Sequence, residues 1–240
     1  MDEGVLIWLA IGAIYIVFKI IQSQSRKEEV KEKIQQVSDY VEKRSMGRTK
    51  IIAVTKSQDK EAIVIAKEAG IQAVGENYAQ ELIEKHRTLG DLEIEWHMIG
   101  AVQRNKIRKL SGILSLWQSV DRIEVLEEIK KRDPAGKVLI QINPLGEIGK
   151  GGCSFHEAGS LIERGLEIGL SVEGVMAVGV QGDLEKTSDI FKKVEALTNE
   201  FGLPERSIGM SDDIEVAIDH GSTMLRVGRA LFGERTSKNK

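Results

Sequence analysis

The strongest constraint on this chain is a unit that recurs eight times: a short, almost continuously apolar run, a polar loop, then an amphipathic helix. The apolar runs fall at 51–54, 71–74, 94–99, 113–120, 138–142, 172–178, 207–210 and 223–227. In the first unit, Ile51-Ile52-Ala53-Val54 leads through Thr55-Lys56 into a helix over about 59–69, with Gly70 as its stop signal. Further helices are expected from Tyr78, from Gln103, after Asp121 as N-cap and from Phe155, and one carries Ile190, Val194, Leu197 and Phe201 on a single face. Strands apolar on both faces belong in a parallel sheet covered by helices. Eight such units predict an α/β fold, a single (β/α)8 TIM-type barrel over residues 26–240, and about 250 residues is an ordinary size for that fold as one domain. A surface helix bearing Val30, Ile34, Val37, Tyr40 and Val41 precedes the first strand.

Composition narrows the function. With 34 basic and 37 acidic residues and a formal net charge of −3, the chain carries no broad positive footprint for a phosphate backbone, so nucleic acid is excluded as a partner. The lone Cys153 cannot form an intrachain disulfide and fits a reducing compartment. The four histidines, His86, His97, His156 and His220, are scattered, and none has a second ligand at metal spacing, so no metal site is expected.

Residues 1–25 do not match the rest. The run 5–18 has no charged side chain and continues after Lys19 as Ile20-Ile21, close to the lower limit of about 17 residues for a spanning helix. Asp2 and Glu3 stand where a signal peptide would be basic, and no small-x-small site precedes Gln22. Lys19, Arg26 and Lys27 follow the run, an asymmetry that would leave the barrel on the cytoplasmic side of a membrane. Three readings stay open for this extra apolar helix: a membrane anchor through residues 5–21, an interfacial or partner-binding helix, or an upstream start codon assigned in error.

In parallel barrels the chemistry sits at the C-terminal ends of the strands. Lys56 follows the first strand, where burial would lower its amine pKa and favour an imine with an aldehyde; a solvated strand-end lysine is the plain alternative. Ser211-Asp212-Asp213 opens a helix, with Asp212 and Glu215 spaced as a capping box, and the stretch from Gly221 to Gly228 crosses the last strand. These two segments lie where phosphate is held in this fold, although for Asp212 itself a plain N-cap is the favoured reading. Arg226 would point to the barrel centre, either against a pyridine nitrogen or into an ion pair with a rim carboxylate such as Glu76.

The segments Ala53-Val54-Thr55-Lys56, Gly75-Glu76-Asn77-Tyr78, Trp96-His97-Met98-Ile99-Gly100, Gln141-Ile142-Asn143, Gly174-Val175-Met176, Gly209-Met210-Ser211-Asp212-Asp213 and Gly221 to Gly233 together resemble, in order, the pyridoxal phosphate homeostasis protein family. The resemblance covers about Arg26 to Arg235, with Thr55 and Ser57 exchanged relative to the usual flanks of the lysine and Ala101-Val102 in place of a common Pro-Leu. It implies a barrel similar to the N-terminal domain of alanine racemase, binding pyridoxal 5′-phosphate (PLP) covalently on Lys56 as a Schiff base. It further implies phosphate contacts from Ser211, Thr223 and Gly228, Arg226 beside the pyridine nitrogen, and Asn77, His97 and Asn143 as cofactor-pocket residues. An arginine at that nitrogen withholds the proton that makes the ring a strong electron sink. The implied function is a cytoplasmic, non-enzymatic PLP carrier or buffer that supplies PLP-dependent apo-enzymes and so affects amino-acid and keto-acid metabolism. A PLP-dependent racemase-like enzyme is the runner-up, and a Schiff-base aldolase-like barrel without PLP the third reading.

Overall fold

A computed structural model of the chain describes residues 3–147 and 149–233, with side chains in the first helix from Phe18 onward except Ile20 and Ser23. Eight parallel strands close into a barrel in chain order. They are β1 (Lys50–Val54), β2 (Ala73–Glu76), β3 (Glu95–Met98), β4 (Leu116–Val120), β5 (Lys137–Ile142), β6 (Ser171–Ala177), β7 (Glu205–Ser207) and β8 (Met224–Val227). Closure is made by β1 on β8, with Ile52 opposite Arg226. The helices are α1 (Glu3–Ser45), α2 (Lys60–Glu68), α3 (Ala79–Leu89), α4 (Arg104–Leu110), α5 (Ile123–Arg132), α6 (Phe155–Glu167), α7 (Leu184–Glu200), α8 (Ile214–Asp219) and α9 (Arg229–Phe232).

Alternation along each strand divides the core in two. Outward residues such as Trp117, Val120, Val175 and Leu225 pack under the helices, against Ile63, Leu82, Ile107, Leu126, Ile162 and Phe191. Inward residues Ile52, Ala73, Leu116, Leu139, Met176 and Met224 form a second, smaller cluster inside the barrel. That inner cluster shares the interior with a polar set, His97, Gln118, Ser207 and Arg226, all buried.

Three local expectations are corrected. The seventh strand, expected at 207–210, ends at Ser207, because Gly209 turns the chain in the left-handed region at φ 96°. Asp121 does not cap α5: its carboxylate accepts from Gly152 N at 3.1 Å and pairs with Arg122 at 2.5 Å, tying two loops together. Asp212 and Glu215 form no capping box; Asp212 pairs with Arg229, and Glu215 accepts from Tyr40 at 2.5 Å. A capping box does open α6, from Ser154 and Glu157.

The expected surface helix and the apolar segment run together as one helix, α1, of 43 residues, about 65 Å at the usual rise. Its C-terminal part packs on the barrel through buried Val30, Ile34 and Val41. Ion pairs Lys27–Glu61 and Lys31–Glu68, at 2.6 and 2.8 Å, fasten it to α2. Among the described residues no helix is long and apolar enough to cross a membrane. The anchor expectation covers residues 5–21, of which the side chains at 5–17 and Ile20 lie outside the described residues.

Candidate functional site

The strand C-termini surround an open cavity of about 720 Å3. Six of the residues expected at a site line it: Lys56, Asn77, Asn143, Ser211, Arg226 and Gly228. Lys56 stands in the turn after β1. The next residue, Ser57, adopts φ 62°, a conformation that costs a non-glycine residue on the order of 1–3 kcal/mol unless its surroundings hold it. Here Glu81 of α3 accepts from Ser57 N at 2.7 Å, and Gln58 N bonds Thr55 O at 3.0 Å.

Beneath that turn lies a buried charge cluster. Lys85, on α3, donates to Thr55 O and Glu76 Oε1 at 2.7 Å each and to Glu81 at 2.8 Å. Thr55 Oγ1 donates to the same Glu76 oxygen at 2.6 Å. Burial pushes the Glu76 carboxyl above its ordinary pKa, and Lys85 and Thr55 oppose the shift. Glu76 is therefore committed to Lys85 and makes no ion pair with Arg226. Lys85 was not legible in the sequence, since a lysine four residues after Glu81 on an amphipathic helix reads as a solvated i,i+4 pair.

Arg226 is 4% exposed and projects from β8 to the cavity floor. Its guanidinium donates to Ser207 O and to Ser207 Oγ, each through Nη1, the latter at 2.7 Å, and through Nη2 to Ala177 O at 2.8 Å. Desolvation pulls its pKa down to about 10, and the charge on Asp213 works against that fall. It remains a cation at neutral pH. Guanidinium carries five N–H donors, so donors beyond these three contacts are left for a ligand above it.

The β7–α8 and β8–α9 loops meet beside Arg226. Ser211 Oγ accepts from Ala230 N at 3.2 Å, and the Arg229–Asp212 pair bridges the same loops. Gly228 packs so closely on β1 that an added Cβ would stand 3.3 Å from both Val54 Cβ and Val54 O. On the opposite wall Asn143 holds its own loop, its amide donating to Glu147 O at 3.1 Å while Oδ1 accepts from Glu147 N at 3.2 Å. Asn77 Oδ1 is buried without a hydrogen-bond partner among the described residues. Such an orphaned acceptor costs about 1–3 kcal/mol.

His97 and Thr223, the other two expected pocket residues, do not reach this cavity. His97 faces a second cavity, of about 390 Å3, at the N-terminal ends of the strands, with Lys50, Glu95, Lys137 and Glu205. Thr223 precedes β8 and accepts Arg206 N at 2.9 Å while donating to Glu205 at 2.5 Å. Motif membership identified both residues, but the direction of a strand side chain and its level along the barrel are set by register. Cys153 is buried, and its thiol is pushed up to about 12 by desolvation, so it stays a thiol.

A closed parallel barrel with a lysine, a buried arginine and the last two strand loops around one open mouth defines a class of protein: the alanine racemase N-terminal domain type, whose family model matches residues 27–236. Within it, the chain belongs to the pyridoxal phosphate homeostasis protein family. It is 36% identical over 224 residues to the Pyridoxal phosphate homeostasis protein of Aquifex aeolicus, covering 88% of this chain and 97% of the relative. It is also 36% identical to that of Pseudomonas aeruginosa, over 77% of this chain and 84% of the relative. Among solved structures it is similar to PipY of Synechococcus elongatus with PLP bound, at TM-score 0.77 and 27% identity, covering 85% of this chain and 100% of PipY. Alanine racemase from Corynebacterium glutamicum shares the fold at TM-score 0.68 and 16% identity, over 88% of this chain and 63% of the racemase.

Proposed function

We propose that this protein binds PLP reversibly in the barrel mouth and acts in intracellular PLP homeostasis, as a carrier or buffer without strong catalytic activity of its own. The observation that carries the proposal is the convergence on one cavity of Lys56, the buried Arg226 cation and the Ser211 and Gly228 loops. PLP supplies an aldehyde that condenses with a primary amine, releasing water, and the condensation is reversible.

In this reading the Lys56 amine is the covalent attachment point, and the Thr55–Ser57 turn holds it at the mouth. Ser211 and the backbone at Gly228 take the phosphate, at the place after strands seven and eight where such barrels hold one. Arg226, a cation at neutral pH that donates a hydrogen bond without releasing its proton, faces the ring nitrogen, and Asn77 and Asn143 shape the pocket walls. The mouth is open, so a loaded ligand can leave to PLP-dependent apo-enzymes. The proposal places the barrel in the cytoplasm, with residues 5–21 as its tether to a membrane, on the strength of the basic residues that follow the apolar run.

A transfer assay tests the function. Protein loaded with PLP is mixed with a PLP-requiring apo-enzyme and the recovered activity of that enzyme is followed, while a panel of L- and D-amino acids is screened for turnover by the loaded protein alone. Recovery at a rate set by release from wild type, with no turnover on the panel, is expected. Turnover that is abolished by Lys56→Ala would replace the carrier with a racemase-like enzyme.

A further inference from the structure

The barrel interior contains a continuous hydrogen-bonded path that the mouth site does not by itself require. It begins at Arg226 Nη1, which donates to Ser207 Oγ at 2.7 Å. Ser207 Oγ donates to Gln118 Oε1 at 2.7 Å. Gln118 Nε2 meets His97 Nδ1 at 2.7 Å, and His97 Nε2 meets Glu95 Oε2 at 3.2 Å. Lys50 closes the path by donating to Glu95 at 2.8 Å. Gln118 and Ser207 are wholly buried, and His97 is 1% exposed. The path runs from the floor of the mouth to the cavity at the opposite end of the barrel.

Its direction follows from donor chemistry alone. Ser207 Oγ already accepts from a guanidinium, so its single hydrogen goes to Gln118. That fixes the Gln118 carbonyl toward Ser207 and its NH2 toward His97. An NH2 group only donates, so His97 Nδ1 must be bare and the ring proton must sit on Nε2, facing the Glu95 carboxylate. Burial lowers the His97 pKa, which favours this neutral ring. Every donor therefore points the same way, from Arg226 to Glu95. A polar residue in the centre of a buried strand is costly unless fully paired, and Gln118, between Trp117 and Ser119 in β4, is paired at both ends of its amide.

We propose that Gln118 and His97 are positioning residues for Arg226: acting through Ser207, they fix the orientation in which its guanidinium is presented to the ligand in the mouth. The ligand's identity rests on the function proposed above; the internal path does not.

Two measurements separate these. In cofactor-free protein, nitrogen NMR of the His97 ring and the Arg226 side chain is recorded for wild type, Gln118→Leu and His97→Gln. Wild type is expected to show the Nε2–H tautomer, and Gln118→Leu to move the Arg226 Nη resonances although Ser207 Oγ stands between the two residues in the path. In protein loaded with PLP, Gln118→Leu is expected to shift the cofactor's absorption maximum and weaken binding about tenfold, the loss of roughly one hydrogen bond to a charged group. His97→Gln, which keeps an acceptor opposite the Gln118 amide, should retain most of the wild-type spectrum. Leu139→Val, an inner-cluster change off the path, should leave spectrum and affinity as they are. Arg226 resonances unmoved by Gln118→Leu, or a wild-type ring protonated on Nδ1, would overturn the relay. Failure of wild type to bind PLP would instead sink the proposed function, with the NMR result still deciding the relay.

Discussion

Replacing Lys85 with methionine probes the support of the Lys56 turn. The lysine side chain is 5% exposed and its partner Glu76 is wholly buried, so Lys85→Met leaves a carboxylate without its cation and leaves Thr55 O with Gln58 N as its remaining donor. Breaking a buried pair by removing one partner costs about 3–5 kcal/mol, and this loss is expected at pH 7.5 in urea or guanidinium titrations. The pH dependence carries the sharper test. Without Lys85, burial raises the Glu76 pKa further, so folded Glu76 holds a proton that the unfolded chain releases above its own pKa near 4.5. A group whose folded pKa is raised loses its stability contribution as pH rises through that pKa. Wild-type Glu76 is itself raised, so the variant's stability should fall relative to wild type by up to about 1.4 kcal/mol per pH unit between the two folded-state pKa values and level off above the variant's. Lys85→Met/Glu76→Leu should recover most of the loss, because an apolar pair of similar volume is close to neutral. A deficit below about 1 kcal/mol that is flat with pH would refute the reasoning, since the pair would then behave as a solvated one.

Other consequences are simpler to check. Gly174→Ala would place a methyl 1.8 Å from Glu205 O, between β6 and β7, and should cost about 3 kcal/mol or prevent folding, read from the thermal midpoint. Ser154→Ala removes the α6 capping box and should cost about 1 kcal/mol in denaturant titration. Native Cys153, buried with its thiol pushed up to about 12, should resist alkylation at pH 8 and react fully in denaturant. Deleting residues 1–25 leaves the contacts of Val30, Ile34 and Val41 with the barrel, so PLP binding and the unfolding midpoint should persist; loss of folding would show that the segment is integral.

The barrel was legible because most of its strands lie in nearly unbroken apolar runs, which leaves a helix-covered parallel sheet as the solution; β7, Glu205-Arg206-Ser207, is the exception. That Lys56, Ser211, Arg226 and Gly228 line the barrel mouth was legible from their positions, since they follow or end those runs. What could not be read were contacts between units. Asp121 and Asp212 look like caps locally, yet each is claimed by a partner distant in sequence, Gly152 or Arg229. His97 lies in a motif near a strand end, and only the register, opposite Gly75 and Leu116, turns it toward the far end of the barrel. Lys85 resembles any helix-surface lysine, whereas Gln118 did leave a signal: a lone amide inside a buried strand asks for partners on both sides.

The most direct test of the PLP site is borohydride reduction of the PLP-loaded full-length protein, followed by peptide mapping, in wild type and Lys56→Ala. Wild type should be yellow, its colour fixed by reduction, with the phosphopyridoxyl adduct on the peptide containing Lys56 and none formed by the variant at equal loading. An adduct on a different lysine, or a colourless wild type in excess PLP, would contradict attachment at Lys56.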